Sequence, residues 1–242
     1  TIGQEKVEQV LAQGYDELAD YTNAFQNKME MGREIIADRG IWTAKKRYIL
    51  NVYDNEGVRY ETPKLKMMGS ETAKSSTPQW VRGKLTEAFK TVMNGTEEEL
   101  WDFVEYTRKD FRNLPVEDMS SPRGCNNLKQ YSNTTTIYSK GTPIHVRGAL
   151  LYNNELKKKN LDKRYEVVKN SDKIRFTYLT VPNPLNENVI SYINTLPKEF
   201  DLHRYVDYDL QFDKSFIEPL KKVITLIGWN VEPVASLDSF FG

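Results

Sequence analysis

Two stretches of helical periodicity meet at the pair Asn94-Gly95, and this junction constrains the fold more than any other feature of the chain. Upstream, Val81, Leu85, Ala88, Phe89 and Val92 recur at three- and four-residue spacing, and Thr77-Pro78 supplies an N-cap followed by a proline in the first turn. Downstream, Thr96 and Glu99 form a capping box, in which hydroxyl and carboxylate each satisfy a backbone N–H that the first turn leaves unpaired. Leu100, Phe103, Val104, Thr107 and Phe111 then share one face. A break this short predicts a helical hairpin.

The flanking segments have different periods. Val7, Val10, Leu11, Leu18, Tyr21 and Phe25 predict an amphipathic helix over residues 7–25, interrupted only by Gly14. Strand character follows over 29–37 and 42–61, with Tyr48, Leu50 and Val52 on one face and Arg47, Ile49, Asn51 and Tyr53 on the other. Asp54-Asn55-Glu56-Gly57 closes a hairpin into Val58–Glu61, its glycine accepting a positive φ. Residues 113–142 are rich in Ser, Asn, Thr, Gly and Pro and read as a long basic loop. A helix over Pro143–Lys159, a strand near Lys173–Val181 and a few helical turns over 197–227 complete an α+β chain, ending in a protruding tail from Glu232.

Composition excludes several classes. Hydrophobic residues are 39% and charged residues 28% of the 242, a globular balance. No apolar run approaches the roughly 20 residues that span a bilayer, so no membrane partner is expected. The single Cys125 cannot form an internal disulfide, and His145 and His203 lie too far apart for zinc-type spacing, so no metal site is expected here. No Ser/Cys-His triad context, P-loop or dinucleotide fingerprint occurs. The net charge of zero conceals segregation: residues 42–84 hold nine Lys/Arg against four Asp/Glu, and residues 120–175 twelve against four. Basic and acidic faces could pair within the fold, or the basic blocks could meet a polyanion.

Four motifs fall in or beside these basic blocks. Lys45-Lys46-Arg47-Tyr48 heads a strand, where alternation sends Lys46 and Tyr48 to one face and Lys45 and Arg47 to the other. Cations beside an aromatic hydroxyl suit backbone phosphate and groove-edge contacts; a lysine-protected edge strand would look the same. Pro63 to Pro78 reads PKLKMMGSETAKSSTP, placing Lys64, Lys66 and Lys74 before Ser75, Ser76 and Thr77 at a helix start. That pattern suits phosphate held by oriented N–H groups, although capping alone explains Thr77. In the polar loop, Ser120, Ser121, Arg123, Gly124, Asn126, Asn127, Lys129 and Tyr131 combine small, amide and basic groups with little bulk, which suits close approach to a sugar-phosphate chain or an ordinary polar loop, and His145 and Arg147 open the next helix. Finally, Leu237, Phe240 and Phe241 in the terminal ASLDSFFG make a small apolar plug for a partner, or for the chain's own surface.

Taken in order, KKRY with LNVYDNEG, the lysine-rich run, HVRG and ASLDSFFG resemble the palm-to-thumb region of family B DNA polymerases of the T-even bacteriophage type, over nearly the whole chain. The resemblance implies the C-terminal part of a palm at residues 1–62, a mainly helical thumb at 63–231 and a sliding-clamp-binding tail at 232–242. It implies that Lys46 and Tyr48 look at the minor groove of primer-template duplex while the thumb wraps the backbone. It also implies a replicative nucleotidyltransferase acting in the cytoplasm of an infected bacterial host, with Mg²⁺ as cofactor of the assembled enzyme. The clamp pattern of the family often has glutamine three residues before the leucine, where Val234 stands here.

The paired aspartates of the family, from an SLYPS-type segment and a DTDS hairpin, do not occur in this sequence. Glu34, in MEMGREII, matches an accessory carboxylate, and it cannot hold two metals alone. The expectation is therefore one piece of a polymerase, inactive alone, completed by an upstream portion carrying exonuclease, fingers and catalytic palm. Thr1 fits a processed or excised piece, and a split gene is the other origin. The competing expectation is a non-enzymatic module that binds duplex DNA.

Overall fold

The computed structural model describes residues 2–69, 72 and 74–233. Two compact units emerge: Thr1–Gly40 with Ile49–Lys66, and Ile41–Tyr48 with Met67–Gly242.

The first unit opens with α1 (Ile2–Tyr21). The expected amphipathic helix forms, beginning earlier and ending before Phe25, and much of its apolar face lies open: Val10 is 70% and Tyr21 89% exposed. Strands β1 (Ile35–Ala44), β2 (Arg47–Asn55) and β3 (Val58–Met68) follow in the sheet order β1-β2-β3. Central β2 is buried on both faces at Ile49, Leu50, Asn51 and Val52, so its sequence lacks strict alternation. Asn51 donates to Asp38 at 2.9 Å, and Asp54 pairs with Arg33 at 2.7 Å. Strand β3 runs on through the PKLKMM segment to Met68, beyond the Glu61 end expected from sequence. The reason is the neighbouring strand: β2 pairs with it, and Pro63 is tolerated because β3 is an edge.

In the second unit, α2 (Gln79–Asn94) and α3 (Glu97–Phe111) form the expected hairpin, and the Thr96–Glu99 capping box is present. Thr77 does not cap α2. Pro78 occupies that position with extended backbone, and Thr77 is buried beside two clefts. Phe111, wholly buried, meets Trp80 at 5.7 Å, Phe212 at 5.2 Å and Tyr208 at 6.4 Å between ring centroids.

Residues 113–142 are not one long loop. They contain α4 (Val116–Met119), β4 (Ser121–Gly124), α5 (Leu128–Tyr131) and the small ladder of β5 (Ser132–Asn133) with β6 (Ile137–Tyr138). Buried Val116, Met119, Cys125 and Leu128 anchor this stretch. Its polar composition hid the elements because each is too short to show a period. Strand β7 (Lys173–Tyr178) pairs with β4 and with β8 (Val189–Tyr192), a strand not foreseen.

Helix α6 (Ile144–Lys158) packs on β8 through Gly148. A Cβ there would stand 2.8 Å from Ser191 N and 2.9 Å from Ile190 C, and backbone atoms cannot swing aside. Gly148→Val should therefore cost about 1–3 kcal/mol by overpacking, read as a lower urea midpoint at unchanged m. A midpoint within experimental error of the wild type would show that α6 can retreat from the sheet.

The chain closes with α7 (Tyr208–Phe212), a π-helical turn (Asp213–Ile217) and α8 (Glu218–Ile224) in one continuous run. Gln211, fully buried, ties this run to the sheet. Its amide donates to Met119 O at 3.1 Å and Ser121 Oγ at 3.0 Å, and its oxygen accepts from Tyr178 N at 3.3 Å.

Candidate nucleic-acid interface

Lys45 and Lys46 form a two-residue turn between β1 and β2, with Lys46 at φ +61°. Strand alternation thus does not govern them, contrary to the sequence expectation: only Arg47 and Tyr48 lie on the strand. Lys45, Lys46 and Arg47 are exposed and Tyr48 is half-buried, so three cations crown one hairpin tip. Gly69 passes against that tip with φ +64°, where an added Cβ would lie 2.7 Å from Arg47 Cγ and 2.8 Å from Lys46 O. A side chain at 69 would push the tip outward.

The lysines of β3 are separately engaged. Lys64 lies 4.1 Å from the centre of the Tyr60 ring, and Lys66 pairs with Glu34 at 3.2 Å while bonding Asn55 at 3.2 Å. Glu34, the one expected carboxylate, therefore faces a lysine. A pair of divalent cations needs several carboxylates together, and among the described residues no three of His, Cys, Asp and Glu gather in that way. The residues here do not fit a two-metal centre.

The second unit gathers the next group. Ser76, Thr77, Ser121, Arg123, Lys214 and Ser215 line a cavity of about 70 Å³. Three elements build it: the approach to α2 brings Ser76 and Thr77, β4 brings Ser121 and Arg123, and the π-helical turn brings Lys214 and Ser215. Two cations beside the hydroxyls of Ser76, Thr77 and Ser121 give this cavity the chemistry to seat an anion, because hydroxyls donate while guanidinium and ammonium supply charge; the Ser215 hydroxyl is committed to Gln211 O at 2.7 Å. Lys214 also holds Glu218 at 2.5 Å, and that carboxylate raises its pKa and keeps it charged. Arg123 is close enough to His145 to act on it. Burial first, and Arg123 second, push the imidazole below its ordinary value, so His145 stands neutral near pH 7. The Tyr178 hydroxyl is raised by burial, with Lys214 and Arg123 opposing that effect. On the other side of Thr77 and Pro78 lies a polar cleft of about 500 Å³ lined by Ser75, Arg82, Asp118 and Arg175.

The remaining expected residues lie apart from the seat. Asn126, Asn127 and Lys129 are exposed around α5, with Asn127 in the left-handed region ahead of that helix. Lys74 and Ser75 are exposed before α2. Arg147 is held within the fold, bonded to Asn188 and lying 5.6 Å from the centre of the Tyr138 ring, whose hydroxyl donates to Glu187 at 2.6 Å. Leu237, Phe240 and Phe241 lie outside the described residues.

No protein-family model matches the chain. Two viral proteins do. The chain is 32% identical over 252 residues to the DNA-directed DNA polymerase of Enterobacteria phage T4, and 35% identical over 250 residues to that of Escherichia phage RB69. It is a relative of the phage DNA-directed DNA polymerases. These alignments take in 99% and 98% of the chain but only 28% and 27% of the phage proteins, so it spans less than a third of the polymerases it matches.

In this polymerase relative, sequence reasoning found Ser76, Thr77, Ser121 and Arg123 but missed Lys214 and Ser215 as site residues. Lys214 stands in an i,i+4 pair with Glu218, which reads as ordinary surface charge. Only the π-helical turn, invisible to helical periodicity, points it at β4.

Proposed function

We propose that the chain forms the C-terminal part of a replicative DNA-directed DNA polymerase, gripping primer-template duplex and completing an enzyme whose catalytic residues lie on an upstream portion. The near end-to-end similarity to two phage polymerases carries this reading. The basic hairpin tip and the hydroxyl-lined seat at Arg123 and Lys214 supply the grip, and both contact chemistries are indifferent to sequence, as a replicative enzyme requires. Tyr48 reads the groove face with Lys46 beside it, and the seat at Arg123 and Lys214 holds the backbone. Magnesium chemistry belongs to the upstream portion, which carries fingers, exonuclease and the catalytic palm. The final residues, with Leu237, Phe240 and Phe241, tether the enzyme to a sliding clamp in the cytoplasm of an infected bacterium. No described helix is long and apolar enough to cross a membrane.

The open apolar face of α1 supports a complement over a self-sufficient duplex-binding module, since Val7, Val10 and Leu18 are about half exposed or more among the described residues. A titration of the chain with fluorescent primer-template and with single-stranded DNA of equal length tests the grip. Salt-sensitive preference for duplex is expected. A folded chain that binds neither at low salt would refute a grip built from these residues, and nucleotide incorporation by the chain alone would refute the division of catalysis.

A further inference from the structure

Beyond the grip itself, the second unit joins two places that the proposed function treats separately. After α8 the backbone turns at Gly228, with Trp229 N donating to Ile224 O at 3.0 Å, and residues 230–232 run along α3. Three side chains on one face of α3 hold them there. Glu97 accepts from Asn230 N at 2.5 Å, Trp101 Nε1 donates to Asn230 O at 2.9 Å, and Arg108 pairs with Glu232 at 2.9 Å. The spacing 97, 101, 108 is one helical stripe. Both backbone polar groups of Asn230 are bracketed, so this segment is a strap with a defined seat.

Arg108 has a second partner. Its other terminal nitrogen lies 3.3 Å from Asp213, and its guanidinium lies 5.0 Å from the centre of the Phe212 ring. Asp213 is the first residue of the π-helical turn that aims Lys214 and Ser215 into the anion seat, and Glu218 N closes that turn on Asp213 O. One arginine side chain, 19% exposed, therefore spans the strap and the turn. Its planar fork suits two acceptors, and losing one frees it to reorient about the other.

We propose that Arg108 is a positioning residue coupling the strap at 230–232 to the π-helical turn, so that the placement of the strap and the geometry of the seat at Lys214 depend on each other. Its meaning for DNA rests on the duplex-grip reading; the coupling itself does not. Linkage makes it reciprocal: whatever displaces the strap loosens the turn, and whatever fixes the turn secures the strap.

Amide hydrogen exchange on the full chain tests this. Glu232→Gln removes only the strap's charge, at a site remote from the seat. The Glu218 amide, which reports closure of the turn, should exchange about two- to fivefold faster, the range expected for losing an exposed ion pair. Asp213→Asn should speed exchange of the Asn230 amide by a similar factor. An unchanged Glu218 amide in Glu232→Gln overturns the coupling, and so does an equal acceleration of core amides such as Leu85, which would mark global destabilisation. Primer-template duplex is then added. Slower Asn230 exchange in the wild type, and no such change in Glu232→Gln, extends the coupling to DNA. Duplex that binds without altering Asn230 overturns that extension, and duplex that fails to bind overturns the grip reading while leaving the exchange result on the free chain intact.

Discussion

Phe111→Ala should remove about 3–5 kcal/mol of stability, the range for deleting a fully buried aromatic ring. The ring is sealed from water and touches Trp80, Tyr208 and Phe212, so the cavity would be lined from α2 and α7 at once. None of these neighbours can collapse into it alone, because each is held by its own element. Tyr208 is further fixed by its hydroxyl, which donates to Leu114 O at 3.1 Å. Phe111→Leu keeps most of the volume and should cost less than half as much. Urea denaturation followed by circular dichroism reads both. A cost below about 1 kcal/mol for the alanine variant would mean that the hairpin and α7 are not packed through this ring.

The second large effect is electrostatic. If the tip cations Lys45, Lys46 and Arg47 and the seat cations Arg123 and Lys214 each meet one phosphate, log K for duplex should fall with log salt at a slope of about −4.5. Affinity would then drop roughly 500-fold between about 50 and 200 mM salt. Lys214→Ala should flatten the slope by about 0.9, because it removes one counterion-releasing contact. Lys46→Ala distinguishes two roles: the same flattening marks a phosphate contact, whereas lost affinity at unchanged slope marks a groove contact. Competition titrations over a salt series supply both numbers. A slope near zero would show that charge is not what holds the duplex.

Much of the scaffold was legible in the sequence because its signals are local. The Thr96–Glu99 box and the stripes of α2 and α3 arise within a few residues of one another, and the structure keeps them. What escaped was decided by distant partners. Val189–Tyr192 is four residues long and buried throughout, so β8 shows neither alternation nor length; it is a strand because β7 and α6 cover it. Thr77 had the chemistry of an N-cap, yet tertiary packing draws it into the seat and leaves Pro78 to begin the helix. Lys45 and Lys46 were placed on a strand by the pattern that follows them, while the turn that carries them is set by pairing with β1.

The same division separates what sets the strength of the anion seat from what sets its width. Its charges come from Arg123 and Lys214, but the distance between β4 and the π-helical turn is fixed by the buried amide of Gln211, which grips Ser121 on one side and stands three residues before Lys214 on the other. Gln211 thus works as a ruler. Swapping lysine for arginine would change how hard the seat pulls while leaving the span from β4 to the turn unchanged. Selection for tighter or looser hold could therefore act on the surface charges while an uncharged side chain in the core keeps β4 and the turn in register.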